Sequence, residues 1–417
     1  MPRPKVVIIG GGFGGVAAAQ AMRNGNVDVT VIDRNNHFTF QPLLYQVASA
    51  TLAPSDIAVP IRWVLRKQQN TRVLLGEVTG IDLERREVAM NNGTHVEPYD
   101  FLIVATGTRH AYFGHDDWEA AAPGLKGIDD AIRVRSRFLN AFEQAELCDD
   151  DADREAWQTI VIVGGGPTGA ELAGIMITIA RQALRQDFRR IDTAKTRVIL
   201  VEGGPRVLPS FPEDLSAHAL DDLRNMGVEV KLNAMVSHID SGSVCVGDEV
   251  IRTRTVFWAA GNVASPLTRQ LGVPLDRFGR VVVEPDLSLP GRPEVFVVGD
   301  VAVTTQKDGR PVPGVAQGAI QGGRCAGQNV LRTLWRQART PFRYLNKGDM
   351  ATLGRHRAIA DLGGTLRFSG AFAWFLWLFI HVMYLASFRN RVVVLLQWAW
   401  EYLTFERGVR LILGRRH

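Results

Sequence analysis

Residues 5–20 read KVVIIGGGFGGVAAAQ, and residues 159–174 read TIVIVGGGPTGAELAG. Each stretch opens on a short β-branched run ended by glycine, the composition of a strand buried on both faces. Each then enters small residues suited to a closely packed helix. The intervening loops are Gly10-x-Gly12-x-x-Gly15 and Gly164-x-Gly166-x-x-Gly169. In such a loop the first glycine makes the tight turn and the second lets the backbone approach a pyrophosphate. The third lets helix and strand pack. A further strand follows each helix, VDVTVID at 27–33 and TRVILVE at 196–202. The repeated strand, loop and helix predict two Rossmann-like cores, each built on a parallel sheet.

The chain has 417 residues, 46% of them hydrophobic, which suits two or three domains with substantial cores. Its composition excludes disorder. The three cysteines, Cys148, Cys245 and Cys325, form no C-x-x-C pair, so neither a disulfide framework nor a thiolate metal site is expected. The first apolar run is too short for the core of a signal peptide, and no export signal is expected. The formal charge of +5 and pI near 9.3 suit nucleic acid or an anionic membrane equally until the charge is located.

Each predicted core ends its second strand with an acid, Asp33 in the first and Glu202 in the second. A carboxylate there accepts hydrogen bonds from ribose hydroxyls, and at the second site it repels a 2′-phosphate. Glu202 therefore points to NADH over NADPH. Its distance from Gly164 is longer than usual, and a long helix over 171–191 is expected to absorb the difference. DFLIVATGTRH at 100–110 and TVFWAAGN at 255–262 both read as strands ending in glycine, and EVFVVGD at 294–300 ends in Gly299-Asp300. The acid-rich interval 143–157 reads as a solvated helix end or connection. Together these pieces resemble the two-dinucleotide flavoprotein reductases. The resemblance implies FAD in the first core, with Gly10, Gly12, Phe13, Gly14, Gly15, Asp33, Val78, Ala105, Thr106, Gly107, Asp300, Ala316 and Gln317 around it. It implies NADH in the second, at Gly164, Gly166, Pro167, Thr168, Gly169, Glu202, Ala260 and Gly261. The implied fold is α/β, with an FAD domain over 1–112 and 266–345, an NADH domain inserted over 113–265, and a membrane-associated region over 346–417.

A disulfide reductase would carry a redox cysteine pair soon after the first core, and FQPLLYQVASATL at 40–52 has no cysteine. A sulfide:quinone oxidoreductase would also need cysteines beside the flavin. HFTFQPLLYQVASATL, YFGHDDWEAAAPGLKGIDDA, the octet AQGAIQGG at 316–323 and MATLGRHRAIADLGG resemble type II NADH:quinone oxidoreductase, the single-subunit NADH dehydrogenase that pumps no protons. This resemblance covers essentially the whole chain. It implies that the octet begins a helix beneath the flavin. Gln317 and Gln321, at i and i+4, then share a face towards flavin and quinone, where neutral amides can bond quinone carbonyls. Gly318, Gly322 and Gly323 would leave room for cofactor and substrate. Glu171 is implied near the flavin–nicotinamide contact, in proton transfer or quinone hydrogen bonding; stabilising the helix N-terminus is an equally weighted reading. A related quinone reductase using NADPH, and a membrane-bound flavoprotein sensor or binding module, are the alternatives.

Residues 368–388 contain no Asp, Glu, Lys or Arg, and eight of these 21 residues are aromatic. One helix of that length would measure roughly 31 Å, enough to span a bilayer. The aromatic content, with Trp374, Trp377 and His381 inside, fits an interfacial helix better. Arg389, Arg391, Arg407, Arg410, Arg415 and Arg416 follow, against Glu401 and Glu406. The basic balance is thereby assigned to anionic lipid and not to nucleic acid. The expectation is a monotopic protein on the cytoplasmic face of the inner or plasma membrane, meeting quinone there; a homodimer would suit the family.

Overall fold

The computed structural model describes residues 2–306, 309–364, 366–385, 388–404 and 410–413. The chain forms two compact units. The first comprises Met1–Thr39, Ala58–Arg109 and Asn262–Asn346, and the second Phe40–Ile57, His110–Gly261 and Lys347–His417.

The first unit is built on a six-stranded sheet. In spatial order its strands are Ser288–Leu289, Arg292–Val297, Phe101–Val104, Lys5–Ile9, Asp28–Asp33 and Thr71–Leu75. All neighbours are parallel except the edge pair of Ser288–Leu289 and Arg292–Val297. The unbroken apolar run at the N-terminus follows from this placement. Val6 and Ile8 enter one core, with Val16, Val29 and Ile103, while Val7 and Ile9 enter the other, with Leu102, Val104 and Val297. Both faces are covered, so alternation with polar residues would bury unpaired groups. On one face the helices Phe13–Ala21 and Ala316–Leu334 pack together.

The second unit has a four-stranded parallel sheet in the order Val228–Lys231, Arg197–Val201, Thr159–Val163 and Thr255–Trp258. An antiparallel sheet of Val236–Ile239, Ser243–Val246 and Glu249–Arg252 joins its core, where Ile239, Val244 and Ile251 meet Val161, Ile199 and Trp258. The C-terminal part is another antiparallel sheet, Asp349–Gly354, Arg357–Leu362 and Leu366–Ser369, followed by the helices Gly370–Tyr384 and Phe388–Thr404.

Two expectations need correction, and that for 143–157 gains detail. The helix expected over 171–191 is Pro167–Thr178, continued by a wider turn at Ile179–Ala183 and then by irregular chain. Residues 143–157 are the end of one helix, Ile128–Leu147, and most of another, Asp151–Gln158, which Asp150 caps by accepting from the Asp153 amide. The apolar stretch 368–388 is not one helix. Phe368 and Ser369 pair in the sheet, and the helix of 15 residues that follows is about 22 Å long, short of a bilayer's hydrocarbon core. Among the described residues no helix is long and apolar enough to cross a membrane. Ala386 and Ser387, like Glu406, Arg407, Arg415 and Arg416, lie outside the described residues.

Candidate active site

The two glycine loops fold alike. Gly10 and Gly164 hold φ at +104° and +109°, values that side chains rarely adopt. A Cβ on Gly15 would overlap the Gly10 carbonyl oxygen, and one on Gly169 the Gly164 carbonyl oxygen. Gly12 and Gly166 differ in kind. Each begins its helix with ordinary extended torsions, φ −78° and −71°, and a Cβ on either would meet nothing within 4 Å. The first and third glycines are thus demanded by the protein's own packing. The middle ones border open space at a helix N-terminus, where unpaired amides favour an anion.

The two acids also match. Asp33 accepts from the Gly11 amide at 2.6 Å, and Glu202 accepts from the Gly165 amide at 2.6 Å and the Gly204 amide at 2.7 Å. Each carboxylate is held against its own loop. Beside the first loop, Ala105 and Thr106 pass close to Gly10, and the buried Thr106 hydroxyl has no hydrogen-bond partner among the described residues. An orphaned buried hydroxyl beside an open anion cradle fits a nucleotide cofactor in the first unit. Gly107 continues this turn at φ +67°. Phe13 and Gly14 lie in the first turn of the helix; Phe13 packs edge-on to Phe38. The side chain of Val78 is in the core, so a part for Val78 at a cofactor would run through its backbone. In the second unit Pro167 and Thr168 open the helix, and the Phe113 ring covers Gly261, next to Ala260.

Asp300 borders a cleft of about 400 Å³ with Gly299, Gly314, Gly318, Ala319 and Gly322. The helix Ala316–Leu334 starts at the octet. Gln317 is half-buried in its first turn, without a side-chain hydrogen bond among the described residues. Gln321 is engaged: its Nε2 donates to the Leu345 carbonyl at 3.0 Å and its Oε1 accepts from the Leu345 amide at 2.9 Å. The bareness of the octet therefore has two causes. Gly318 and Gly322 face the cleft, whereas a Cβ on Gly323 would overlap the Gly14 carbonyl oxygen, so Gly323 serves the contact between two helices. Cys325 packs near the Thr340 carbonyl, and burial pushes its thiol up to about 11. A thiol held protonated does no redox work at neutral pH.

Glu171 lies in the second unit, in the helix Pro167–Thr178. Burial pushes its carboxyl up to about 8, against a smaller lowering by a hydrogen bond from the Thr352 backbone amide. At neutral pH it holds a proton. In the same unit Tyr45, Gln46, Thr51, Thr352, Trp377 and Trp398 border a cleft of about 820 Å³ that mixes aromatic and polar side chains. Sequence reading placed Trp377 in an interfacial helix and gave the others no role. Tyr45 and Thr352 bond to each other across 307 positions, a separation that leaves no local signal.

The two C-terminal helices present apolar stripes to the outside. Phe372, Phe375, Phe379 and Met383 are 61%, 57%, 64% and 50% exposed, and Val392, Leu395, Leu396 and Trp400 are exposed on the second helix. His381 sits on the inner side, stacked on Trp377, with Nδ1 donating to the Trp377 carbonyl at 2.7 Å. Burial lowers its pKa to about 4 and keeps it neutral.

Two glycine loops that open helices, each with a carboxylate bonded to its own loop, fit a flavin- and pyridine-nucleotide-dependent oxidoreductase. The pyridine nucleotide-disulphide oxidoreductase family matches residues 4–323, and the NDH2 C-terminal domain matches residues 346–407. The chain is 46% identical to the type II NADH:quinone oxidoreductase NdhA of Mycobacterium tuberculosis, covering 99% of this chain and 90% of that protein. It is 45% identical to Ndh of the same organism, covering 97% and 89%. Its fold superposes on NDH2 from Plasmodium falciparum, solved in complex with NADH, with a TM-score of 0.89 at 20% identity over 99% of this chain and all of that one. The chain belongs to the type II NADH:quinone oxidoreductases. It is a flavoprotein NADH dehydrogenase with FAD and NADH as cofactors and quinone as electron acceptor, and it pumps no protons.

Proposed function

We propose that the first unit holds FAD and the second holds NADH, and that Glu171 keeps a proton available for quinol formation. The single observation carrying the nucleotide assignment is the duplicated pairing of loop amide and acid, Gly11 with Asp33 and Gly165 with Glu202. Bound FAD supplies the redox chemistry, accepting hydride from NADH and passing two electrons to quinone. The protein's part is to bind, orient and hold protons. Gly10, Gly12, Phe13, Gly14, Gly15 and the helix they open would receive the FAD diphosphate, with Asp33 on the ribose. Ala105, Thr106 and Gly107 would flank it, the Thr106 hydroxyl being free to bond. Asp300 borders the remaining cleft of the same unit, and Ala316 and Gln317 begin the helix whose Gly318 and Gly322 line it. Gly164, Gly166, Pro167, Thr168 and Gly169 would receive the NADH diphosphate, with Ala260 and Gly261 alongside, and Glu202 would take ribose hydroxyls and repel a 2′-phosphate.

Quinol formation consumes two protons. Glu171, protonated at neutral pH, is a donor without a net charge to desolvate. Gln317 would offer its amide to a quinone carbonyl. Gln321, clamped on Leu345, would act by fixing the chain there. The exposed stripes of the C-terminal helices would lie in the membrane interface, with Arg389 and Arg391 towards lipid phosphate, giving access to a lipid-soluble acceptor. NADH does not cross bilayers, so the protein would sit on the cytoplasmic face; the family resemblance adds a homodimer, which sedimentation velocity tests.

Anaerobic stopped-flow spectroscopy tests the reaction reading. NADH should bleach the flavin of the purified protein, and a short-chain quinone added next should restore its colour. A protein that binds no FAD, or whose reduced flavin ignores quinone, refutes it. Co-sedimentation with vesicles containing anionic lipid tests the surface, and Phe375→Asp with Phe379→Asp should abolish it.

A further inference from the structure

Phe113, in the second unit, is 64% exposed and holds φ at +54°. Gly114 follows at φ +97°, and the His115 amide closes the turn on the Tyr112 carbonyl at 3.1 Å. Two positive φ values inside such a turn favour asparagine or aspartate before the glycine, not a phenyl side chain. Other residues anchor the turn. Tyr112 is buried, stacks on Trp258 at 5.1 Å between ring centres, and donates its hydroxyl to the Ala122 carbonyl at 2.9 Å. Trp258 Nε1 donates to the Ala111 carbonyl at 3.0 Å. Phe113 meets this cluster only at its edge, tilted, 6.3 Å from Trp258 between ring centres. Its ring lies over Gly261, where an added Cβ would overlap it. Neither torsion nor burial accounts for a phenyl ring here, and strain kept at an exposed position points to a function.

The sheet shows what that position faces. In spatial order, the carboxyl ends of its strands carry Glu202 after Arg197–Val201, the Gly164 loop after Thr159–Val163, and Ala259, Ala260 and Gly261 after Thr255–Trp258. The loop adjoins both neighbours. A Cβ on Gly165 would lie 3.0 Å from the Glu202 side chain, and one on Gly164 would lie 2.7 Å from the Ala259 carbonyl carbon and the Ala260 nitrogen. A dinucleotide whose diphosphate rests on the helix N-terminus sends its two nucleosides to opposite sides of the loop. Glu202 marks the adenosine side, because the 2′-hydroxyl that distinguishes NADH from NADPH belongs to the adenosine ribose. The nicotinamide half then extends past Ala260 and Gly261, to where the Phe113 ring stands.

We propose that Phe113 binds the nicotinamide half of the cofactor, its ring supplying an apolar face for that end of the molecule. This rests on the reading that the second unit holds NADH. The nicotinamide ring is neutral in NADH and carries a delocalised positive charge in NAD⁺. A phenyl ring packs against either form and attracts the charge of the oxidised one. Gly261, at φ +77° and without a side chain, lets the phenyl ring rest on the backbone and so holds it in place on an exposed turn. The diphosphate end is independent of this contact: a Cβ on Gly166 would meet nothing within 4 Å.

The test is equilibrium binding of NAD⁺, and of ADP-ribose, which lacks the nicotinamide, to the oxidised, FAD-loaded full chain by titration calorimetry. Phe113→Asn is the main variant, because asparagine adopts the turn's torsion more readily and removes the ring. It should melt at the wild-type temperature or above. It should bind NAD⁺ roughly 3- to 10-fold more weakly and ADP-ribose as tightly as wild type. Phe113→Tyr keeps the ring and should keep the NAD⁺ affinity. The ratio of the two affinities decides even where a variant melts lower, because ADP-ribose reports the folded loop. If Phe113→Asn binds NAD⁺ like wild type, or loses NAD⁺ and ADP-ribose equally, the inference fails. Glu202→Gln should weaken both ligands; if it leaves ADP-ribose binding unchanged, the placing of NADH on this loop fails instead.

Discussion

Gly12→Ala and Gly166→Ala separate what the fold needs from what the nucleotide needs. Both positions have torsions that alanine adopts freely, and an added Cβ meets no protein atom within 4 Å. The substitutions should leave the stability of the cofactor-free protein unchanged or raise it by about 0.4–1 kcal/mol, through a stiffer unfolded chain. The same Cβ would stand at the helix N-terminus where a diphosphate must approach. Pushing the anion away from one or two amides loses charge-assisted hydrogen bonds worth roughly 1.5–3 kcal/mol each. With partial retention of these bonds, the affinity loss should be about 2–4 kcal/mol, or roughly 30- to 700-fold. Gly12→Ala should therefore melt normally as apoprotein but bind FAD weakly by fluorescence titration. Gly166→Ala should keep FAD and show a raised KM for NADH. Gly15→Ala is the control: its Cβ overlaps the Gly10 carbonyl oxygen, so it should destabilise the apoprotein itself. The reasoning is refuted if apo Gly12→Ala loses more than about 1 kcal/mol, or if its FAD affinity lies within threefold of wild type.

Gly323→Ala should destabilise the first unit by about 2 kcal/mol or more, read by denaturant unfolding, because its Cβ would overlap the Gly14 carbonyl oxygen between two helices. His381, with a folded pKa near 4 against about 6.5 unfolded, takes up a proton only on unfolding between those values. Stability should thus fall as pH drops through that window, by up to about 3 kcal/mol, and His381→Phe should flatten the loss in urea melts at pH 4.5 and 7. Wild type should prefer NADH strongly in steady-state assays, and Glu202→Gln should narrow the preference over NADPH by removing a fixed negative charge. Equal use of both nucleotides by the wild type would refute the role given to Glu202.

The sequence by itself determined the two parallel-sheet cores. Their strands are apolar on both faces because both faces are covered, and the loops announce themselves because Gly10, Gly15, Gly164 and Gly169 answer to local torsion and local packing. Asp33 and Glu202 were legible for the same reason: each bonds the loop that precedes it on the neighbouring parallel strand. Only tertiary structure decided what the C-terminal residues do. The stretch 368–388 reads as a single apolar segment, and pairing of Phe368 with Ala360 removes its start from the helix. The clamp of Gln321 on Leu345 and the packing of Gly323 on Gly14 turn an apparently uniform octet into residues with different tasks. A hydrogen-bonded chain from Trp398 through Gln46 and Tyr45 to Thr352 joins residues up to 352 positions apart. Burial makes those hydrogen bonds matter, and burial belongs to the folded neighbourhood, not to any local run of residues.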